Sequence, residues 1–165
     1  MIRFMDKVDL IIKQWNQEKP ELDVTSMALI GRLKRIAQHL GTGMGETFAK
    51  HGLNTASFDM LATLRRSGPD YALSPNDLIA STMVTSGTMT NRIDQLCKAG
   101  WVERLKNPND GRGFIISLTK SGREIIDAAI VDHVATQDRL LEGLNAQEQT
   151  QLNQLLTRFL STFED

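Results

Sequence analysis

The chain lacks the cysteine pairs, the long apolar runs and the clustered histidines that disulfide-bonded, membrane and metal-binding proteins require. It contains a single cysteine, Cys97, so no disulfide can form within the chain. No secretory signal and no run of about eighteen apolar residues occurs, so we expect a soluble, cytoplasmic protein. Its three histidines, His39, His51 and His133, are too scattered to suggest a metal site. Free cysteines are often buried, which favours a packing role for Cys97, with redox sensing as the alternative.

Catalytic motifs are missing as well. No Ser-His-Asp set, pair of acids on one face or activated nucleophile can be assembled from neighbouring positions. Gly41, Gly43 and Gly45 fall inside a helical pattern, so they do not form the glycine-rich nucleotide loop that follows a strand. We therefore predict that the protein is not an enzyme and has no cofactor, and that its 165 residues form one domain.

Helical periodicity is present at both ends of the chain. Apolar residues recur every three or four positions from Met27 to Phe48, with Gly52 as the stop signal, and Asn54 can cap a helix that ends before Gly68. Two pairs near the carboxyl end have the spacing of a capping box, which predicts two terminal helices. These pairs are Ser121 with Glu124 and Asn145 with Glu148.

The terminal helices carry more apolar surface than a small domain needs to cover itself. We therefore predict a homodimer in which residues 1–52 and 121–165 form the dimerisation region. The alternative is a monomer whose terminal helices fold back on its own core.

Residues 73–122 have the order of elements of a winged helix-turn-helix. A first short helix follows Ser74, which can act as its cap, with Pro75 in the first helical position. A second helix can begin after Thr85, with an apolar stripe at Met89, Ile93 and Leu96. The face opposite this stripe carries hydroxyl, amide and guanidinium groups, which suit the base edges of a major groove. We predict DNA contacts from Ser86, Thr88, Thr90, Asn91, Arg92 and Gln95.

A hairpin follows this second helix. Gly100 can close the helix in the left-handed conformation, and the residues from Trp101 to Leu105 alternate like a half-buried strand whose partner runs from Gly113 to Leu118. In the turn-rich tip, Asp110 can orient Arg112 so that its guanidinium enters a minor groove. The alternative is that Arg112 is a solvated loop residue.

Charge is unevenly distributed although the net formal charge is only −1. Residues 84–123 carry seven bases and three acids, whereas residues 124–165 carry two bases and eight acids. A local positive surface is sufficient for binding nucleic acid. The positive segment coincides with the helix-turn-helix and its wing, so residues 53–120 are predicted to be the DNA-binding region.

The same residues carry a family resemblance. The run from Leu73 to Leu118, the wing residues Asp110-Gly111-Arg112 and the following Leu118-Thr119-Lys120-Ser121-Gly122 resemble the MarR family of bacterial transcription regulators. Gln14-Trp15-Asn16 and the segment from Phe58 to Arg66 are similar to the PecS/HucR-like, urate-responsive branch, which has an extra N-terminal helix. Gly111 and Gly113 stand where the family more often has arginine or another side chain, which implies a looser wing.

This resemblance implies a ligand site. Residues linked to ligand in the urate-responsive branch match Trp15, Asp59, Arg92 and Arg104. Urate is a flat anion that could stack on an indole, bond to arginines and donate to a carboxylate. Other roles remain open: Trp15 as an anchor of the dimer interface, Asp59 as a partner of Arg92 or Arg104, and Arg104 as a support of the wing.

These observations predict a mainly α fold with a small β-hairpin wing and N- and C-terminal dimerisation helices. The predicted function is that of a dimeric repressor released from a palindromic operator by a small aromatic anion such as urate. One alternative is a regulator of the same family that responds to another ligand, such as a phenolic acid. Others are a winged-helix interaction module, for which the basic segment would have no purpose, and a dimerisation part of a methyltransferase.

Overall fold

The computed structural model of the chain describes residues 5–82, 89–108 and 113–164. It divides into two compact units, residues 1–43 and 44–165, which are described separately. The fold is mainly helical with a small antiparallel sheet, which confirms the predicted class. In chain order the elements are α1 (Lys7–Glu18), α2 (Thr25–Lys50), α3 (Thr55–Arg66), β1 (Ala72–Leu73), α4 (Pro75–Ser81), α5 (Met89–Lys98), β2 (Val102–Lys106), β3 (Phe114–Leu118), α6 (Lys120–Leu140) and α7 (Ala146–Leu160).

The first unit contains α1 and the first part of α2. Asp6 and Asp9 form a capping box at the start of α1, and Arg32 of α2 binds both carboxylates at 2.8 and 2.6 Å. The hydrogen bond from Arg32 lowers the pKa of Asp6. The pKa of Asp9 is also lowered, mainly by the hydrogen bond from the backbone N–H of Asp6 and next by that from Arg32. Gly31 permits the close approach of the two helices, because a Cβ there would lie 3.3 Å from a methyl group of Val8.

The second unit is built around α3 and the sheet. Its largest fully buried hydrophobic side chains come from α3, α4, β3 and α6, and include Leu61, Leu64, Leu78, Ile116 and Ile126. The strands pair antiparallel in the order β1-β3-β2, with five residue pairs between β2 and β3. β1 was not predicted, because two residues are too few for a sequence pattern. Its partners on β3 are Ser117 and Ile116.

Most of the predicted helix ends are confirmed. Asn54 caps α3, Ser74 caps α4, and Asn145 forms a capping box with Glu148 at α7. Gly52 and Gly100 both adopt positive φ, 69° and 74°, where glycine has no steric penalty. The predicted helix termini therefore differ from the observed ones by only a few residues.

The predicted capping box of Ser121 with Glu124 is wrong. Thr119 is the cap of α6, and its hydroxyl accepts a hydrogen bond from the Gly122 N–H at 3.0 Å. The helix begins at Lys120, so Ser121 already lies inside it, and Glu124 pairs with Lys120 at 3.9 Å instead. Thr119 and Ser121 are both good capping residues, and tertiary contacts decide between them: the Thr119 hydroxyl also donates to the Gly100 carbonyl at 2.7 Å.

Candidate nucleic-acid interface and ligand pocket

The helix α5 is amphipathic in the predicted sense. Its apolar stripe, Met89, Ile93 and Leu96, is buried against the core. Thr90, Asn91 and Gln95 are exposed, so their side chains are available to the edges of bases. Of the other predicted DNA contacts, Ser86, Thr88, Asp110 and Arg112 lie outside the described residues, as does the predicted cap, Thr85.

Arg104 on β2 connects the wing strands to α5. Its Nη2 atom donates to Asp94 Oδ1 of α5 at 2.6 Å, and its guanidinium lies 5.6 Å from the centroid of the Phe114 ring on β3. Among the roles left open by the sequence, this geometry fits Arg104 as a support of the wing. Both partners are more than one-third exposed, so the pair contributes more to orientation than to stability.

A pocket of about 370 Å³ lies where α2, α3 and α5 meet in the second unit. Its volume falls within the range of about 300–1,000 Å³ that is typical of small-molecule sites. The pocket brings together two of the four candidate ligand residues, Asp59 and Arg92, in a mainly apolar wall. Its lining residues are Met44, Phe48, Thr55, Ala56, Phe58, Asp59 and Arg92.

Arg92 is set apart from its neighbours on α5. It is half-buried, whereas Thr90 and Asn91 are exposed. Its Nη1 atom is buried and has no hydrogen-bond partner among the described residues. A buried charged donor without an acceptor costs free energy that an anion in the pocket would recover. Arg92 therefore differs from Thr90 and Asn91 in that it lines the pocket.

The other two candidate ligand residues lie elsewhere. Arg104 is not among the residues that line this pocket, and its guanidinium pairs with Asp94. Trp15 lies on α1 in the unit of residues 1–43, with 41% of its surface exposed. For these two residues a ligand role rests on the family resemblance alone.

An aromatic cluster backs the pocket. The rings of Phe48 and Phe58 stack with centroids 4.1 Å apart, and His133 of α6 lies 5.2 and 4.8 Å from them. Burial lowers the pKa of His133, because desolvation disfavours the charged imidazolium. Sequence analysis recognised the two phenylalanines as periodic apolar positions, with Phe58 also opening the segment of family resemblance, and His133 only as a scattered histidine. No local pattern indicates that three separate helices bring them together.

Two polar contacts hold α6 on the end of α2 beside this cluster. The hydroxyls of Thr47 and Thr136 are buried and lie 2.7 Å apart, and His51 Nε2 lies 2.8 Å from Asp132 Oδ2. The helices that frame the pocket are therefore held by both apolar and polar contacts. Among the described residues, no group of His, Cys, Asp or Glu could hold a metal ion, and no helix has the length and hydropathy to cross a membrane.

Comparison with known proteins relates the chain to one family of transcription regulators. A model of the MarR family matches residues 51–113. The chain is 37% identical over 158 residues to the HTH-type transcriptional regulator PecS of Dickeya dadantii, an alignment that covers 96% of this chain and 95% of PecS. It is 32% identical to the multiple antibiotic resistance protein MarR of Escherichia coli, over 71% of this chain and 80% of MarR.

Two solved structures with bound DNA are similar in fold to this chain. One is a mutant E. coli MarR complexed with operator DNA, with a TM-score of 0.70 and 28% identity, over 88% of this chain and 97% of that chain. The other, Sco3205 of Streptomyces coelicolor in complex with DNA, has a TM-score of 0.76 and 20% identity, over 87% of this chain and 91% of that chain. At 20% identity, the second supports the fold alone.

Proposed function

The chain belongs to the MarR family of DNA-binding transcription regulators, and we propose that it is a homodimeric repressor released from its operator by a small aromatic anion such as urate. Residues 53–120 would form the DNA-binding region, and residues 1–52 and 121–165 the dimerisation region. The observation that carries the ligand part of this proposal is the buried Nη1 atom of Arg92 in an apolar pocket, which has no hydrogen-bond partner in the described part of the chain.

The helix α7 supports the dimer. None of its residues is buried within the protomer, although Leu152, Leu156 and Phe159 recur along one face and are between 38% and 43% exposed. An isolated helix of this length is marginally stable in water unless an apolar face is packed. A second copy of the chain would cover this face.

Two-fold symmetry then determines the form of the operator. A dimer would place its two α5 helices about 34 Å apart, one turn of DNA, and would bind a pseudo-palindrome. Thr90, Asn91 and Gln95 would contact base edges in each half-site. Ser86, Thr88, Asp110 and Arg112 remain candidates from the sequence.

The position of Arg92 suggests how a ligand would act. Arg92 lies on the helix that would enter the major groove, yet it lines the pocket. An anion bound to its guanidinium would fix α5 relative to α3 and displace it from the geometry that suits the operator. A coupling of about 1–3 kcal/mol between the two sites would lower operator affinity some five- to 150-fold.

A second charged group lines the pocket. Asp59 and Arg92 are both among its lining residues, so the wall carries a carboxylate as well as a guanidinium. Urate presents N–H donors beside anionic oxygens and can serve both groups, and a hydroxybenzoate can do so through its hydroxyl and its carboxylate. The pocket therefore suits either class of aromatic anion, and the choice of urate rests on the family resemblance.

Exchanging Arg92 for methionine is expected to weaken urate binding by about ten- to 150-fold, the loss of one or two charged hydrogen bonds. Methionine keeps the length of the side chain and removes the donors. Isothermal titration of the DNA-free protein measures this directly. Lys98→Met, which removes an exposed charge from the last turn of the same helix, serves as the matched control and should bind urate like the parent.

Two results would contradict parts of this proposal. Equal urate affinity of Arg92→Met and the parent would place the ligand elsewhere. Binding of a hydroxybenzoate but not of urate would assign the other ligand class to the pocket.

A further inference from the structure

The last turn of α3 carries two adjacent arginines that bind different elements. Arg65 Nε donates to Asp127 Oδ1 of α6 at 2.6 Å, and its guanidinium lies 4.8 Å from the centroid of the Tyr71 ring. Arg66 Nη2 donates to the backbone carbonyl of Ser81, the last residue of α4, at 3.0 Å. One helix end therefore holds both α6 and the first helix of the helix-turn-helix.

The contact of Arg66 completes the carboxyl end of α4. This helix has only seven residues, and Thr82 satisfies two of its last carbonyls: its N–H donates to Leu78 and its hydroxyl to Ile79. Arg66, which lies outside the helix, donates a hydrogen bond to the Ser81 carbonyl. A cation at this position also interacts favourably with the helix dipole. Arg66 thus fixes the point from which the chain leaves α4 toward α5.

The helix α3 is a rigid base for this contact. Met60, Leu61 and Leu64 on its inner face are fully buried, so close packing against the core holds the helix in place. Its first two turns contribute Thr55, Phe58 and other lining residues to the pocket, while its last turn holds α4. α3 therefore spans the distance from the ligand pocket to the helix-turn-helix.

We propose that Arg66 is a positioning residue for specific DNA recognition, which holds the end of α4 and thereby sets the angle at which α5 meets the base edges. The inference rests on the proposed operator binding and adds a residue to it. Because Arg66 is exposed, a direct contact with a DNA phosphate is the competing role. The two roles differ in their dependence on sequence and salt. A phosphate contact raises affinity for every duplex and steepens the salt dependence, whereas a positioning contact affects only the specific complex.

The test compares Arg66→Ala and Arg66→Lys in the full-length protein, with a duplex obtained by binding-site selection and an unrelated duplex. Arg66→Ala is expected to weaken specific binding about tenfold, the loss of one charged hydrogen bond, with nonspecific affinity and the salt slope unchanged. Arg66→Lys keeps a donor for the Ser81 carbonyl and should restore most of the loss. Arg139→Ala, which removes an exposed cation from the last turn of α6, is the control for net charge.

A loss of equal size on both duplexes, with a salt slope lower by about one, would overturn the proposal and assign Arg66 to a phosphate. Unchanged affinity of Arg66→Ala for both duplexes would show that Arg66 has no role in DNA binding.

A readout without DNA separates this inference from the proposed function. Hydrogen exchange of the Thr82 amide, which bonds to the Leu78 carbonyl, should become about tenfold faster in Arg66→Ala, while amides in the middle of α3 keep their protection. Unchanged hydrogen exchange at Thr82 would contradict the positioning role, even if binding-site selection yielded no preferred duplex. Failure of the parent protein to select any duplex would instead count against the proposed operator binding.

Discussion

Replacing Leu156 and Phe159 together by glutamate is expected to yield a monomer that has lost at least about a thousandfold in operator affinity, the usual minimum gap between specific and nonspecific binding. Both side chains lie on the exposed apolar face of α7, and two buried carboxylates would prevent association there. The monomer would then present a single winged helix-turn-helix and could contact only one half-site of the operator. Sedimentation equilibrium gives the assembly state, and fluorescence anisotropy with a labelled duplex gives the affinity.

Gln147 and Gln154 on the opposite face of α7 provide the matched control. Changing both to glutamate adds the same charge to the same helix without touching the apolar face. This control variant should stay dimeric and bind the operator like the parent, apart from a small electrostatic loss. A dimeric Leu156→Glu, Phe159→Glu variant would show that α7 lies outside the interface.

Gly122→Ala is expected to destabilise the fold by about 3 kcal/mol, the upper range for adding a methyl group to a tightly packed site. A Cβ at this position would lie 1.9 Å from the Trp101 carbonyl oxygen, a backbone atom that cannot rotate away. That oxygen accepts from the Thr119 N–H at 3.1 Å, so a shift would also break the cap of α6. Urea unfolding followed by circular dichroism measures the loss at a fixed protein concentration.

Gly143→Ala is the control for the loss of a glycine, because an added Cβ there meets no atom within 4 Å. Its free energy of unfolding should stay within about 0.5 kcal/mol of the parent. A similarly small change in Gly122→Ala would mean that the junction between Trp101 and α6 is looser than the structure shows.

Local patterns were sufficient to predict the main elements of the fold. Periodic apolar residues indicated α3 and α5, and Ser74 and Gly100 marked helix ends by satisfying exposed backbone groups or permitting positive φ. The cap of α6 was placed two residues too late, because Thr119 is selected by its bond to the Gly100 carbonyl. A sequence does not show such a contact between distant segments.

The candidate site was predicted less completely. Family resemblance indicated Asp59 and Arg92, and the structure places both in one pocket, but it pairs Arg104 with Asp94 instead. The aromatic wall of Phe48, Phe58 and His133 was missed, because it forms where three helices converge. Helical periodicity identifies which residues are buried but not which helices meet.

Binding-site selection from a pool of random duplexes, at fixed low salt, tests the central claim most directly. We expect it to enrich a pseudo-palindrome with half-sites about 34 Å apart, and added urate should release the selected duplex. Failure to enrich any sequence from the random pool under these conditions would contradict the assignment of the exposed face of α5 to DNA recognition.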